Sequence, residues 1–242
     1  MTSSNDSRAR LKRALEPIAL GMGRLGLTPD ALTLIGFAVT VVGAVLIAER
    51  LWLAGGLVVF LGGAFDLFDG TLARATGRVS KLGAFMDSVF DRAGEVIVYV
   101  GMVAGLQELG ILNGTVLASA AMGSAVLVSY TRSKSEGLGF TAGAGMAAIG
   151  IMPREVRLII LSGGLIVAGI LGTEPYLVEG SDGAGGAAFP VGAFAILLAL
   201  VIITLGSTIT VIQRILHVRD QARQQSVQTQ RSTENDREQE RQ

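Results

Sequence analysis

Residues 66–91 read DLFDGTLARATGRVSKLGAFMDSVFD. Asp66, Asp69, Asp87 and Asp91 sit in or beside segments otherwise apolar enough to cross a membrane. An ionisable group at that depth costs roughly 2.5 kcal/mol or more on insertion scales. Four acids of one sign therefore need a cation. Asp66 and Asp69 are three residues apart and Asp87 and Asp91 four apart, so each pair shares one helix face. An antiparallel hairpin brings the two faces together. Ligands offering only carboxylate oxygen point to Mg²⁺, Mn²⁺ or Ca²⁺ rather than zinc. Two divalent ions would neutralise the four carboxylates, and two-metal sites are a common means of substitution at phosphorus.

Composition narrows the class. Half of the 242 residues are hydrophobic and only 17% are charged, too oily a balance for an ordinary soluble domain. The formal net charge is zero, so the chain lacks the basic footprint of a nucleic-acid binder. There is no cysteine, which excludes disulfides, thiolate metal sites and thiol nucleophiles. The single histidine, His217, lies beyond the last apolar segment, which excludes a multi-histidine metal site. The polar, basic stretch from Met1 to Arg13 does not read as a signal peptide.

Outward from the aspartates, the pattern predicts an all-α integral membrane protein of six transmembrane helices preceded by a cytoplasmic amphipathic surface helix. Leu11, Leu15, Ile18, Met22 and Leu25 repeat at helical spacing from Arg8 to Leu25, with Pro17 as a kink. Thr28 is placed to cap the next helix, with Pro29 at its first position and Asp30 in its first turn. Spans are expected at about 31–48, 51–68, 82–106, 112–130, 156–171 and 189–212. Residues 1–27 then form a cytoplasmic N-terminus, 28–213 the catalytic bundle and 214–242 a polar cytoplasmic tail. The segment from Gly172 to Ala187, rich in glycine and acid, is expected to be an external loop. Gly101 and Gly105 read as a helix-packing pair. The loops on one face carry only Arg50 as a base, whereas the other face carries Arg74, Arg78, Lys81, Arg132, Lys134, Arg154 and Arg157. That asymmetry puts both termini and the aspartates on the cytoplasmic side of the cell membrane.

Around the acids, Gly70, Ala73 and Gly83 keep the helix faces open to a bulky ligand, and Arg74 can meet a phosphate oxygen or offset carboxylate charge. Two other readings compete. The aspartates could form a structural network with Arg74, Arg78 and Arg92, or they could mark the path of a divalent-cation transporter.

The pattern Asp66-x2-Asp69-Gly70-x2-Ala73-Arg74-x8-Gly83-x3-Asp87-x3-Asp91 resembles the signature of the CDP-alcohol phosphotransferase family at all eight of its defining positions. The resemblance covers most of the chain. It implies a six-helix membrane enzyme that moves a phosphoalcohol from a CDP-linked lipid such as CDP-diacylglycerol to an acceptor hydroxyl and releases CMP. It also implies a homodimer and a Mg²⁺ or Mn²⁺ cofactor, as two ions. By the same resemblance Asp66, Asp69 and Asp87 are metal ligands, and Asp91 is a ligand to the second metal, the general base, or both. Pro29, Asp30, Thr33, Gly70, Ala73, Arg74, Arg78 and Gly83 fall to the CDP-lipid side. Relatives often carry Asn where this chain has Asp30.

The acceptor is read from the segment between the fourth and fifth spans. Arg132, Lys134, Arg154 and Arg157 would suit an acceptor that already carries a phosphate, although each is also ordinary flanking charge. The stretch from Ser129 to Glu136, Arg157 to Ile160, and Asp87-Ser88-Val89-Phe90-Asp91-Arg92 are similar to the phosphatidylinositol phosphate synthase branch. Inositol 1-phosphate is thus the expected acceptor, with glycerol 3-phosphate, giving phosphatidylglycerophosphate, as the alternative.

Overall fold

The computed structural model describes residues 16–140, 146, 149–173, 176–178, 186–188 and 190–239. A short helix, α1, occupies residues 16–24. It is followed by α2 (Pro29–Ala48), α3 (Trp52–Ala75), α4 (Lys81–Glu108), α5 (Leu112–Gly137), α6 (Arg154–Leu171) and α7 (Val191–Gln239). Helices α2 to α7 correspond to the six expected spans. Among the described residues, four helical stretches are long and apolar enough to cross a membrane: Pro29–Ala48, Trp52–Ala75, Asn113–Gly137 and Val191–Val227. Helix α4 carries Asp87, Asp91, Arg92 and Glu95 well inside its length, and α6 carries Arg154, Glu155 and Arg157 at its start. The bundle presents apolar side chains outward, among them Leu57, Phe60, Leu61 and Leu67, as a protein surrounded by lipid does.

The helix starts follow local chemistry. The Thr28 hydroxyl accepts from the Ala31 amide at 3.2 Å, and Pro29 opens α2. The Ser80 hydroxyl accepts from the Gly83 amide at 2.9 Å and starts α4. Gly77, at φ 67°, turns the chain between α3 and α4 without a Cβ clash, so the two aspartate-bearing segments form a hairpin.

Helix neighbours run α2, α3, α6, α7, α5, α4 and back to α2, a closed ring. Its centre holds Ile47, Trp52, Met102, Leu106, Leu165, Ile196, Leu200 and Ile203. Between helices in lipid, close packing rather than water exclusion supplies the attraction. Gly101 and Gly105 permit it: a methyl group on Gly105 would lie 2.6 Å from the Ile47 carbonyl oxygen, and Ala44 lies as tightly on Gly101. Trp52 Nε1 donates to Thr173 Oγ1 at 2.9 Å, tying the start of α3 to the end of α6.

Two expectations change. Ala19 and Met22 of α1 pack on Leu32, Leu72, Phe65 and Phe68, whereas Ile18 and Leu25 of the expected apolar stripe are exposed. Pro17 stands at the start of the described helix, and residues 8–15 of that stripe lie outside the described residues. The Gly172–Ala187 segment is not all loop, because Tyr176–Val178 (β1) pairs antiparallel with Gly186–Ala188 (β2). Tyr176, Leu177 and Val178 are good strand formers, which explains the exception to an otherwise helical chain. Helix α7 runs unbroken past residue 213 to Gln239.

Candidate active site

Helix α3 brings Asp66, Asp69, Gly70, Ala73 and Arg74 to its C-terminal end, and α4 brings Gly83, Asp87 and Asp91 to its N-terminal half. The hairpin does what the spacing requires. Asp66, Asp69 and Asp87 each offer a carboxylate oxygen, and these oxygens lie within 4.8 Å of one another. Three hard oxygen donors at that separation fit Mg²⁺ or Mn²⁺ and do not fit a thiolate- or imidazole-seeking ion. Asp69 is the most buried of the three. It is held by Thr33, whose hydroxyl donates to Asp69 Oδ2 at 2.6 Å while also reaching the Pro29 carbonyl at 3.2 Å.

The site has two sides. On one, a cavity of about 310 Å³ is lined by Pro29, Asp30, Thr33, Gly70, Ala73, Arg74, Arg78 and Gly83, together with Asp69 and Asp87. Every residue that the sequence assigned to the CDP-lipid lines this one cavity. The small residues keep it open: a methyl on Gly70 would meet the Arg74 guanidinium at 3.3 Å, and one on Gly83 would meet Asp30 Oδ1 at 3.1 Å.

On the other side lies Arg154, the first residue of α6. Its Nη1 donates to Asp66 Oδ2 at 2.6 Å and lies 2.8 Å from Asp91 Oδ1. Among the described residues, the base in ion-pair contact with these aspartates is thus Arg154 and not Arg74, Arg78 or Arg92. Arg92 instead turns back to donate to the Ser88 carbonyl.

The four bases expected at the acceptor do not converge. Arg132 pairs with Glu136 at 3.0 Å on the exposed end of α5. Lys134 lines a separate cavity of about 190 Å³ with Tyr130, Ser135, Phe140 and Arg214. Arg157 is 1% exposed and bound in the core: its Nε and Nη2 donate to the two Glu95 carboxylate oxygens at 2.6 and 2.8 Å, and its Nη1 to the Met152 carbonyl at 3.0 Å. Only Arg154 of the four touches the aspartates.

Two charged residues here escaped the sequence reading. Glu95 stands one turn beyond Asp91 on α4, a spacing that would have marked it. Arg214 is 4% exposed, with Nε donating to the Ile149 carbonyl at 3.1 Å and Nη1 to that of Val128. Its position after a long apolar run looks like ordinary flanking charge, so no local signal distinguishes it.

The profile of the CDP-alcohol phosphatidyltransferase family matches residues 26–222, which include the whole cluster. The chain belongs to this family. Membership makes it an enzyme, a CDP-alcohol phosphatidyltransferase, and sets the cation-transporter alternative aside. The chain is 37% identical over 154 residues to the archaetidylinositol phosphate synthase of Pyrococcus horikoshii, covering 64% of this chain and 77% of that protein. It is 33% identical over 219 residues to the phosphatidylinositol phosphate synthase of Streptomyces avermitilis, covering 88% and 81%. The fold is similar to crystal structures of the Mycobacterium tuberculosis phosphatidylinositol phosphate synthase. The structure with CDP-DAG bound superimposes with a TM-score of 0.66 at 27% identity, over 85% of this chain and 94% of that one. The same mycobacterial enzyme has been solved in complex with manganese and citrate.

Proposed function

We propose that this enzyme transfers the phosphatidyl group of CDP-diacylglycerol to a hydroxyl of inositol 1-phosphate, forming phosphatidylinositol phosphate and CMP. The observation that carries the reading is the cavity in which all eight expected CDP-lipid residues meet two of the aspartates. The acceptor is supported by the relatives, which are archaetidylinositol phosphate and phosphatidylinositol phosphate synthases by name.

Each part of the cluster then has a task. Arg74 and Arg78 offer the donor diphosphate fixed positive charge, with Arg74 able to meet two oxygens through its planar guanidinium. Asp66, Asp69 and Asp87 would hold Mg²⁺ or Mn²⁺, as two ions, with the Thr33 hydroxyl fixing the orientation of Asp69. A divalent ion so held supplies Lewis-acid polarisation of the diphosphate and charge stabilisation for departing CMP. Asp91 takes the proton of the acceptor hydroxyl as its oxygen bonds to the lipid-side phosphorus and the bond from that phosphorus to CMP breaks. Arg154, beside Asp91, binds the phosphate that the acceptor already carries, with Lys134 and Arg132 at the same end of the bundle adding positive charge for its approach. Arg157 is left out of that contact because Glu95 engages it.

In this reading all six of α2 to α7 cross the cytoplasmic membrane of the cell as one catalytic unit, covering residues 28–213. Helix α1 lies on the cytoplasmic surface, both termini and the site face the cytoplasm, and the enzyme works as a homodimer. The test is a purified-enzyme assay with CDP-diacylglycerol and Mg²⁺ or Mn²⁺ against inositol 1-phosphate, glycerol 3-phosphate, inositol and serine. CMP release and lipid product mass are followed together. Inositol 1-phosphate should give by far the highest kcat/KM. Faster turnover with glycerol 3-phosphate would overturn the acceptor assignment.

A further inference from the structure

Helix α4 presents Asp87, Asp91 and Glu95 at successive four-residue steps, so all three lie on one face. Helix α6 presents Arg154 and Arg157 three residues apart, again on one face. The two faces meet in two rungs: Asp91 with Arg154 at 2.8 Å, and Glu95 with Arg157 at 2.6 Å. Yet α4 and α6 are not neighbours in the ring of closely packed helices. Long charged side chains bridge a gap that backbone packing leaves open. In that gap lies a cavity of about 30 Å³ lined by Glu95, Arg154, Arg157, Tyr99 and Thr40.

The rungs differ in how tightly they are held. Arg157 gives one edge of its guanidinium, Nε and Nη2, to Glu95 and the remaining nitrogen, Nη1, to the Met152 carbonyl, two residues before Arg154. Arg154 keeps 34% of its side chain exposed. The Glu95–Arg157 rung therefore keeps both of its charges occupied, and it also contacts the backbone two residues before Arg154.

We propose that Glu95 and Arg157 are positioning residues whose mutual neutralisation reserves Arg154 for Asp91, Asp66 and the acceptor phosphate. Resting on the transfer reaction proposed above, the inference adds that the acceptor end of the site is set by a charge pair that never touches substrate. Its consequence is specific. Removing the charge of Glu95 alone frees the Arg157 guanidinium to reach Asp91 through the small shared cavity. Removing that of Arg157 alone frees the Glu95 carboxylate to capture Arg154. Removing both leaves neither competitor.

The experiment compares the full-length wild type with Glu95→Gln, Arg157→Gln and the double variant. CMP release is measured against inositol 1-phosphate at saturating CDP-diacylglycerol, and against CDP-diacylglycerol at saturating acceptor. Each single variant should raise the acceptor KM on the order of ten-fold or more, with the KM for the lipid held within about two-fold. The double variant should return to within about three-fold of wild type, the strong non-additivity expected of a coupled pair.

A second readout does not depend on activity. The chain has no cysteine, so spin labels on Leu82→Cys and Glu155→Cys, both at exposed positions, report the α4–α6 distance without background. The distance distribution should shift or broaden in each single variant and regain its wild-type form in the double. A double variant as impaired as the worse single variant, or more so, would overturn the proposal, since loss of packing alone accumulates. Unchanged distances in all variants would also overturn it. If the single variants fail to fold, a folded double variant with near-wild-type acceptor KM supports the inference, and a double variant that fails to fold sinks it. If the wild type releases no CMP with any acceptor, the transfer reading fails, and the distance pattern alone decides whether the rung holds.

Discussion

Two arginines three residues apart on α6 each meet an acid of α4, but under different conditions. The Arg154 side chain is 34% exposed and shared between Asp66 and Asp91. Arg157 is 1% exposed and bound through two parallel hydrogen bonds to Glu95 and a third to the Met152 carbonyl. A guanidinium shared between two acids and partly reached by water can trade one partner for another, because neither bond alone holds it. A buried pair cannot, because removing either member strands the other charge at about 3–5 kcal/mol. The same chemistry thus does two jobs one turn apart. The outer pair belongs to the working site, and the inner pair holds the frame.

Four experiments test that contrast, beginning with the largest effect. Asp91→Asn removes the acid beside Arg154 and should lower kcat on the order of 10²–10⁴-fold, the usual span for loss of general-base catalysis, with helix content by circular dichroism unchanged. Asp69→Asn tests the metal set directly and should weaken Mn²⁺ binding at least about ten-fold, as read by electron paramagnetic resonance titration. Arg157→Gln should lose roughly 3–5 kcal/mol of stability, visible as a marked drop in thermal unfolding temperature in detergent. Arg154→Gln should lower that temperature less than Arg157→Gln does, while raising the acceptor KM. A large melting shift for Arg154→Gln would erase the contrast between the rungs. Smallest of all, Arg132→Gln breaks an exposed pair with Glu136 and should cost no more than about 0.5 kcal/mol, although it can still slow acceptor capture at low salt.

How much of this was legible in the sequence follows the range of each interaction. The aspartate pairs and the clearing glycines are encoded by steps of three and four, and helical geometry turns those steps into a face. The α2 cap at Thr28 and the four-residue spacing of Gly101 and Gly105 are equally local in the chain and both were readable, although those glycines pack on the distant Ala44 and Ile47. The partners of the basic residues were not. Arg157 meets Glu95 across 62 residues and Arg154 meets Asp66 across 88. A positive charge at a helix end has the same appearance whether it faces lipid headgroups, a substrate or a buried acid. Glu95 was the available clue, as the next step in a series that began at Asp87 and Asp91. The β1–β2 hairpin was hidden for another reason: its two three-residue strands lie in a stretch whose glycine content reads as loop.

The 88-residue separation of Arg154 from Asp66 also orders events during synthesis. Ribosomes add about 5–20 residues per second, so Asp66 is made roughly 4–18 s before the arginine that will face it. Throughout that interval the α3–α4 hairpin carries its acids without α6, and the ring of helices stays open. Insertion of α6 delivers the cation, and α7, which lies between α6 and α5, then closes the ring. The catalytic half of the molecule is therefore completed late, by its fifth long helix, and a chain arrested before residue 154 would hold the signature residues yet lack a finished site.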